Sequence, residues 1–416
     1  MRRWSLALAI ALTAVTVLSA SEPPVIIHVD DDAAPGGNGT AMLPFNNLAD
    51  AVAAADGVTG FVTIKVAPGD YPLSETLTID RPIDLRGATE QLYDNESWPT
   101  GAYVPSTATR VFATNPAMTR LIQVDRGDGN VLRTVSIRGF VLDGTATGIS
   151  VLFNRVQGYW VAENIFRGPA MLGLQSVASS GRVSANHFSG VGTGAMLAGG
   201  YPESPADVVF DGNRAVNNTV GGLVLNGASI GIAELGDELN ANVRDNDLSN
   251  NTGTQGFGLR TFILRRDLTA PGNSQSEANV SALILENRMV GNRIGVVIDG
   301  GFPYRRVDGA CDGRVFSGTM NLRFAGNTLS GSTMAPSLIT FTRNMASLSQ
   351  ALLPQFQYLH GASFNISDRD GILSDAWIDH PANDPFIGPC AADAVHEPLN
   401  NLLFYNGQVL PFGRNF

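Results

Sequence analysis

The residues best suited to chemistry lie in polar segments between residues 260 and 306. The candidate substrate-binding residues are Arg260, Arg265, Arg266, Asp267, Asp299, Tyr304, Arg305 and Arg306. Because an arginine guanidinium can bind a carboxylate through two hydrogen bonds, this combination of arginines, aspartates and a tyrosine predicts a groove for a chain of acidic sugars. If the groove is catalytic, β-elimination or epimerisation needs the fewest groups, with an arginine neutralising the uronate carboxylate and Tyr304 as acid or base. The arginines considered for that role are Arg260, Arg305 and Arg306.

Two other interpretations of these residues stay open. Asp299 and Asp267 are suitable in type for the carboxylate pair of a glycoside hydrolase, but nothing in the sequence fixes their separation. Long hydrophilic turns also often do no more than solvate themselves or form salt bridges with each other. The catalytic residues, and whether the chain is an enzyme at all, therefore remain unassigned.

No metal site or cofactor is expected from the sequence. The five histidines lack metal-ligand spacing, and a satisfied structural role is favoured for His187. The segment from Asp125 to Gly129 lacks the regular acid spacing of a calcium loop, so calcium is left open without a supporting motif. Lys65 is the one lysine in the chain, which nearly excludes a lysine base or Schiff base.

A weak repeat indicates which elements must position these residues. Each unit has an asparagine followed by apolar residues, then a companion glycine or proline before a short apolar run. The asparagines are Asn164, Asn186, Asn213, Asn246, Asn287 and Asn327, and the companions are Gly173, Gly194, Gly222, Gly256, Gly295 and Pro336. The step from asparagine to companion stays between 8 and 10 residues, whereas the step onward to the next asparagine grows from 13 to 32.

This asymmetry predicts a right-handed parallel β-helix. Strands that pair with the coils above and below cannot change length, whereas an outward turn accepts insertions at little cost. The growing turns should lie side by side on one edge and form the walls of a groove. An all-β sandwich is the alternative fold. It predicts hairpin turns between the strands, but it does not predict one step that stays constant while the other grows.

The N-terminus and the composition indicate an exported protein. Residues 1–21 have a positive start, an apolar core and a small-residue cleavage site, as a signal peptide does; a retained anchor is the alternative. This segment contains two arginines and no acid, so its removal changes the formal charge from −11 to −13. An acidic surface argues against nucleic acid or anionic lipid as partner. We expect a secreted or periplasmic monomer without membrane insertion after cleavage, in which Cys311 and Cys390 form a disulfide.

The N-terminal region resembles the pectin-lyase-like right-handed β-helix proteins. Pro44-Phe45-Asn46-Asn47-Leu48, followed by residues 49–55, is similar to their short capping helix, and residues 62–88 are similar to their entry into the first coils. The resemblance spans about residues 25–344 and implies the fold, but it leaves the activity open because this scaffold hosts many chemistries. The family's hydrolase and methylesterase motifs are absent. Trp377-Ile378-Asp379-His380 is similar to a pectate lyase segment, but it occurs in the tail, so no function is carried over.

Together these observations predict the organisation of the chain. We expect a signal peptide at 1–21, an N-terminal strand and cap at 22–60, coils at 61–344 and a C-terminal cap region at 345–416. The predicted function is binding or processing of an extracellular polysaccharide, with a uronate-containing chain favoured and a lyase or epimerase reaction if catalytic. The alternative is a non-catalytic surface, adhesion or structural protein.

Overall fold

The computed structural model describes most of the chain between residues 25 and 410. The described residues are 25–88, 108–200, 204–227, 235–263, 275–299, 304–305, 315–340, 356–357, 360–369, 371, 373, 377–379, 402–406 and 408–410. The predicted signal peptide and both cysteines lie outside them, so cleavage and the Cys311–Cys390 disulfide stay predictions. No helix among the described residues is long and apolar enough to cross a bilayer.

Short strands and one helix make up the regular structure of the described residues. The first elements are β1 (Val25–Val29), α1 (Leu48–Asp56), β2 (Val62–Val66), β3 (Gly69–Leu73), β4 (Leu77–Ile79), β5 (Ile83–Arg86), β6 (Thr109–Ala113), β7 (Arg120–Val124), β8 (Leu132–Arg133), β9 (Ser136–Arg138), β10 (Phe140–Asp143) and β11 (Ile149–Asn154). The next are β12 (Val156–Ala162), β13 (Ile165–Arg167), β14 (Leu172–Val177), β15 (Ser180–Ser184), β16 (His187–Ser189), β17 (Thr193–Ala198), β18 (Ala206–Asp211), β19 (Arg214–Val216), β20 (Gly221–Asn226), β21 (Leu235–Arg244) and β22 (Phe257–Phe262). The last are β23 (Gln275–Leu285), β24 (Arg288–Val290), β25 (Ile294–Asp299), β26 (Tyr304–Arg305), β27 (Val315–Ala325), β28 (Thr328–Ser330), β29 (Ala335–Thr340), β30 (Phe356–Gln357), β31 (His360–Asp368), β32 (Trp377–Asp379), β33 (Leu402–Tyr405) and β34 (Gln408–Leu410).

Three sheets form the sides of a coil stack. Sheet 1 has fourteen strands, from β1 through β12, β15, β18, β21, β23 and β27 to β34; sheet 2 has six, from β3 to β19; and sheet 3 has ten, from β4 to β32. Successive strands such as β12, β13 and β14 lie in sheets 1, 2 and 3, and β15 returns to sheet 1 beside β12. Apart from β33 with β34, the pairings among the described strands of these sheets are parallel. The predicted right-handed parallel β-helix is therefore the fold.

The N-terminal end of the stack is covered by α1, as the resemblance implies. Asn47 caps the helix, since its side-chain oxygen accepts a hydrogen bond from the Asp50 amide at 2.8 Å. Leu48, Ala51 and Ala55 are buried on the inner face of the helix. At the other end, β34 folds back on β33 as an antiparallel hairpin.

The interior of the stack is filled by buried side chains from successive coils. Phe166 and Phe188 are in register on sheet 2, with ring centroids 4.5 Å apart, and Phe210 on sheet 1 of the next coil lies 6.3 Å from Phe188. Since each coil contributes buried side chains, the core continues along the axis and does not close into a sphere.

The six repeat asparagines form a buried ladder between sheets 1 and 2. The side-chain oxygen of Asn287 accepts from both the backbone and the side-chain amide of Asn246, at 3.1 and 2.8 Å. The side-chain oxygen of Asn327 likewise accepts from both amides of Asn287. Side-chain hydrogen bonds also join Asn164, Asn186, Asn213 and Asn246 in turn. Asn246 and Asn287 therefore lie inside the stack with bonded amides.

A second asparagine ladder, which the repeat analysis did not predict, lies before sheet 3. Asn218, Asn251 and Asn292 are buried, and the oxygen of each following asparagine accepts the backbone amide of the previous one at 2.9 Å. The predicted companion Gly256 is wrong in this coil. Gly258 occupies the glycine position, because Gly221 pairs with Phe257, and Gly256 lies before β22. A Cβ on Gly222 would come within 2.6 Å of the Gly258 carbonyl oxygen, which explains why the position requires glycine.

The parallel strands continue beyond residue 344. β31 pairs with β27 in sheet 1, and β32 pairs with β29 in sheet 3. Trp377, Ile378 and Asp379 thus occupy a strand of the stack, in register with residues 338–340. The boundaries drawn at residues 60 and 344 stay predictions of where cap and coil regions meet.

Candidate functional site

The turns that lead from sheet 3 into sheet 1 begin and end along one edge of the stack. β17, β20, β22 and β25 lie in sheet 3, and the sheet 1 strands that follow them are β18, β21, β23 and β27. Between these strands run residues 199–205, 227–234, 263–274 and 300–314. The ends of the growing turns are therefore neighbours, as the sequence predicts.

Arg260 and Asp299 form an ion pair beside this edge. Arg260 lies in β22, and Asp299 is the last residue of β25 in the next coil. The Nη2 atom of Arg260 donates to Oδ2 of Asp299 at 2.8 Å. Leu259 and Thr261 are fully buried on the core side, so the alternation of the strand directs Arg260 to the outer face.

The surroundings of this ion pair are apolar. Arg260 is in register with Val224 on one side and Val297 on the other, and these valines cluster with Phe257 and Phe262. The guanidinium carbon lies 5.2 Å from the ring centroid of Phe262. Only 13% of the Arg260 side chain and 3% of the Asp299 side chain are exposed. In such surroundings the attraction between the charges is stronger than in water, and the cost of leaving either unpaired is high.

One donor of the arginine is still available. The Nε atom of Arg260 is buried, and within the described part of the chain it has no hydrogen-bond partner. A buried guanidinium N–H without an acceptor costs free energy, so an incoming oxygen would be favoured there. The pair can therefore offer an N–H donor to a ligand oxygen and an ionised carboxylate next to it.

Comparisons with known proteins found similarity to solved structures alone. No family model matches the chain, and no curated protein matches it. Solved structures with the same architecture include DFA-IIIase from Arthrobacter chlorophenolicus A6 in complex with DFA-III, at 14% identity and TM-score 0.36, covering 82% of this chain and 93% of that one. Pectate lyase Pel9A matches at 12% identity and TM-score 0.31, over 95% and 89% of the two chains. XylC complexed with xylose matches at 9% identity and TM-score 0.35, over 82% and 83%.

The three parallel sheets decide the fold. The chain has a right-handed parallel β-helix fold. Identities of 9 to 14% leave the activity of this β-helix open.

Only part of the predicted groove of the β-helix falls within the described residues. Arg260 and Asp299 are brought together as an ion pair. The backbone of Tyr304 and Arg305 forms β26, which pairs antiparallel with β30. The candidates outside the described residues are Arg265, Arg266, Asp267 and Arg306. Whether these turn residues converge on Arg260 stays a prediction.

Among the described residues, the carboxylates of Asp30, Asp31 and Asp32 are close enough together to hold one ion. Their oxygens already accept backbone hydrogen bonds: Oδ2 of Asp31 from the Asp70 amide at 2.8 Å, and Oδ1 of Asp30 from the Asp32 amide at 3.2 Å. The cluster therefore organises the turn after β1, and nothing about it indicates a ligand.

Trp160 and the charged clusters beside it, on the outer face of sheet 1, were not predicted from the sequence. Trp160 is 40% exposed there, between two clusters in which an aspartate binds two arginines. A β-bulge between Gln157 and Tyr159 shifts the register of β12, so simple alternation does not reveal which side Trp160 faces. A sequence signal for the second asparagine ladder did exist, since Asn218, Asn251 and Asn292 each follow a first-ladder asparagine by five residues.

Proposed function

We propose that this chain is an exported protein that binds and processes an acidic polysaccharide along the edge between sheet 3 and sheet 1. The observation that carries the proposal is the buried Arg260–Asp299 pair on an apolar outer face, with Nε of Arg260 lacking a partner among the described residues. A charged pair with an unused donor is costly in such surroundings unless a ligand completes it. The signal-like residues 1–21 support export.

A saccharide fits the chemistry of this edge. Arg260 offers hydrogen-bond donors to the oxygens of a sugar, and the buried side chains of Val224, Phe257 and Val297 hold the pair in apolar surroundings. The uronate preference depends on the predicted turn arginines, Arg265, Arg266, Arg305 and Arg306, because Asp299 already neutralises Arg260. A carboxylate needs that additional positive charge to compensate for Asp299.

The reaction proposed at this edge is β-elimination or epimerisation. Both begin with removal of the proton on the carbon next to the uronate carboxylate. In elimination the electron pair then forms a carbon–carbon double bond, and the glycosidic oxygen leaves with a proton. In epimerisation a proton returns from the opposite face. An arginine would stabilise the carboxylate as charge develops on it, and Tyr304 would supply or take the proton.

Substitution of the ion pair tests the proposal. Arg260→Lys keeps the charge but removes the Nε donor and the fork, and Asp299→Asn keeps the shape but removes the negative charge. We expect Arg260→Lys to lower binding or turnover of pectate, alginate or a glycosaminoglycan at least ten-fold, measured by calorimetry and by the absorbance of unsaturated products. Asp299→Asn should strengthen binding of the same glycans, because it frees the charge of Arg260. Arg305→Ala with Arg306→Ala should abolish the same signal and change stability by at most about 1 kcal/mol, which is the usual range for surface charges.

Arg288→Lys is the matched control, because Arg288 also pairs with an aspartate, Asp247, in a neighbouring coil but lies in β24, away from sheet 3, and is half exposed. It should leave binding and turnover unchanged. Wild-type binding by both Arg260→Lys and Asp299→Asn would rule out this edge as the site. Binding that persists without unsaturated products on any acidic glycan would identify a binding module instead of a lyase.

A further inference from the structure

Trp160 lies on the outer face of sheet 1, a different side of the stack from Arg260. Its neighbours along β12, Tyr159 and Val161, are buried in the core, whereas 40% of Trp160 is exposed. The register defines an outward column through successive coils, consisting of Asp84, Ser136, Trp160, Arg182, Val209, Asn242, Leu283 and Arg323. A large aromatic side chain exposed on a strand is unusual and typical of contact surfaces.

The indole ring is held in place at two points. Its Nε1–H group donates to Oγ of Ser184 in the next coil at 3.2 Å. The guanidinium carbon of Arg138, in the previous coil, lies 4.7 Å from the ring centroid, and Arg138 is itself bound to Asp84 at 3.4 Å. A ring that is already ordered loses little conformational entropy when a ligand binds to it.

Positive charge lies on both sides of the ring. Asp84 binds Arg86 and Arg138, so two guanidinium groups share one carboxylate. On the other side Asp211 binds Arg182 and Arg244, at 2.5 and 3.6 Å, and about half of each of these arginine side chains is exposed. Although the formal net charge of the chain is −11, the half-exposed guanidinium groups of Arg182 and Arg244 offer hydrogen-bond donors to an anion on this face.

The same column continues into a groove. Val209, Asn242, Leu283 and Arg323 line one side of a depression of about 370 Å³, and Asp207, Asn240, Ser281 and Asn321 line the other. Five coil steps separate Trp160 from Arg323, which corresponds to about 24 Å at a strand spacing of ~4.8 Å. The surface is therefore long and narrow, as a chain-like ligand requires.

We propose that the outer face of sheet 1, from Trp160 to Arg323, is a second binding surface for an acidic polysaccharide. The flat apolar face of a sugar ring stacks on Trp160, and its carboxylates contact the exposed arginines. Glu163, Asp245 and Glu286 lie in the turns beyond the column, so the ligand contacts the strands and avoids these turns. Asp207 lines the far side of the groove, where its carboxylate accepts a hydrogen bond from Asn240, so the ligand carboxylates face Arg182 and Arg323. This surface goes beyond the processing edge proposed above: it holds the polymer and takes no part in its reaction.

Titration with tetragalacturonate tests the proposal on the mature protein. We expect the wild type to bind with a change in tryptophan fluorescence, more weakly as salt is added. Trp160→Ala and Arg182→Gln should each weaken this binding at least ten-fold. Arg182 is largely exposed, so its variant reports on binding even if Trp160→Ala unfolds the chain. Phe61→Ala is the matched control, because Phe61 is also an exposed aromatic residue, at 37%, but precedes β2.

Three outcomes would overturn the proposal. The first is wild-type binding and fluorescence response in both Trp160→Ala and Arg182→Gln. The second is equal binding of neutral xylotetraose, which would contradict an acidic occupant. The third is loss of the fluorescence response in Arg260→Lys, which would assign all binding to the edge beside sheet 3. Conversely, a response that survives Arg260→Lys and disappears in Trp160→Ala supports this surface whether or not the processing edge is active.

Discussion

At the scale of single residues, His187 shows how position in the stack sets protonation. It lies in register between Ile165 and Arg214 on sheet 2. Burial lowers the pKa of His187 most, and the positive charge of Arg214 lowers it further, to about 4. Asp247, in the coil after that of Arg214, opposes the shift. The imidazole is therefore neutral at pH 7. This agrees with a structural role for His187 and leaves it no charge with which to bind an anion.

The lowered pKa predicts a pH dependence of stability. In the unfolded chain the pKa returns to about 6.5, so the unfolded state binds more protons than the folded state between pH 4 and 6.5. The free energy of unfolding should fall as the pH falls through this window, by about 3 kcal/mol in total from this residue. Urea unfolding of the wild type and His187→Gln between pH 7 and 4.5 measures it. Equal slopes for the two proteins would contradict the buried neutral histidine.

The positions of residues are best predicted from the sequence where the repeat sets their neighbours. The sequence placed Arg260 and Asp299 together as candidates, because each lies near the end of an apolar run before a growing turn. It did not predict that they bind each other across coils, since this depends on the register between β22 and β25. The side chains of Tyr304 and Arg305, and the turn residues Arg265, Arg266, Asp267 and Arg306, remain predictions.

At the scale of elements, the asparagine ladders hold the turns of neighbouring coils together. Each amide in the first ladder bonds both to the next asparagine and to a backbone carbonyl, as Asn246 does with Asn287 and with Phe210. The sequence revealed the repeat behind this ladder because the step from each asparagine to its companion was nearly constant, at 8 to 10 residues. It misassigned Gly256 because the coil after Asn246 is longer: twelve residues separate Asn246 from Gly258, compared with nine from Asn213 to Gly222.

Removing a ladder amide should destabilise the stack. Asn246→Leu and Asn287→Leu leave buried backbone groups without partners, so we expect each to lower the free energy of unfolding by about 1–3 kcal/mol. Asn365→Leu is the control, because Asn365 is exposed on the outer face of sheet 1, where its side-chain amide donates to the side-chain oxygen of Asn321. Denaturant unfolding gives the comparison. If all three variants unfold at the wild-type midpoint, the ladder contributes nothing measurable.

At the scale of the whole molecule, the chain should behave as a short rod rich in strand. Sheet 1 runs through twelve successive parallel strands from β1 to β33, a length of about 53 Å at ~4.8 Å per strand. Circular dichroism of the mature protein should show strand with little helix, and small-angle scattering should show an elongated particle. A compact sphere, or a helix-rich spectrum, would refute the stack.

The most direct test of the functional account is a crystal structure of the mature protein with tetragalacturonate. We expect the saccharide to lie along the edge between sheets 3 and 1, with one of its oxygens within hydrogen-bond distance of Nε of Arg260. The turn arginines should contact the uronate carboxylates. If the saccharide binds in solution but occupies neither Arg260 nor the turns beside it in the crystal, the proposed site is wrong.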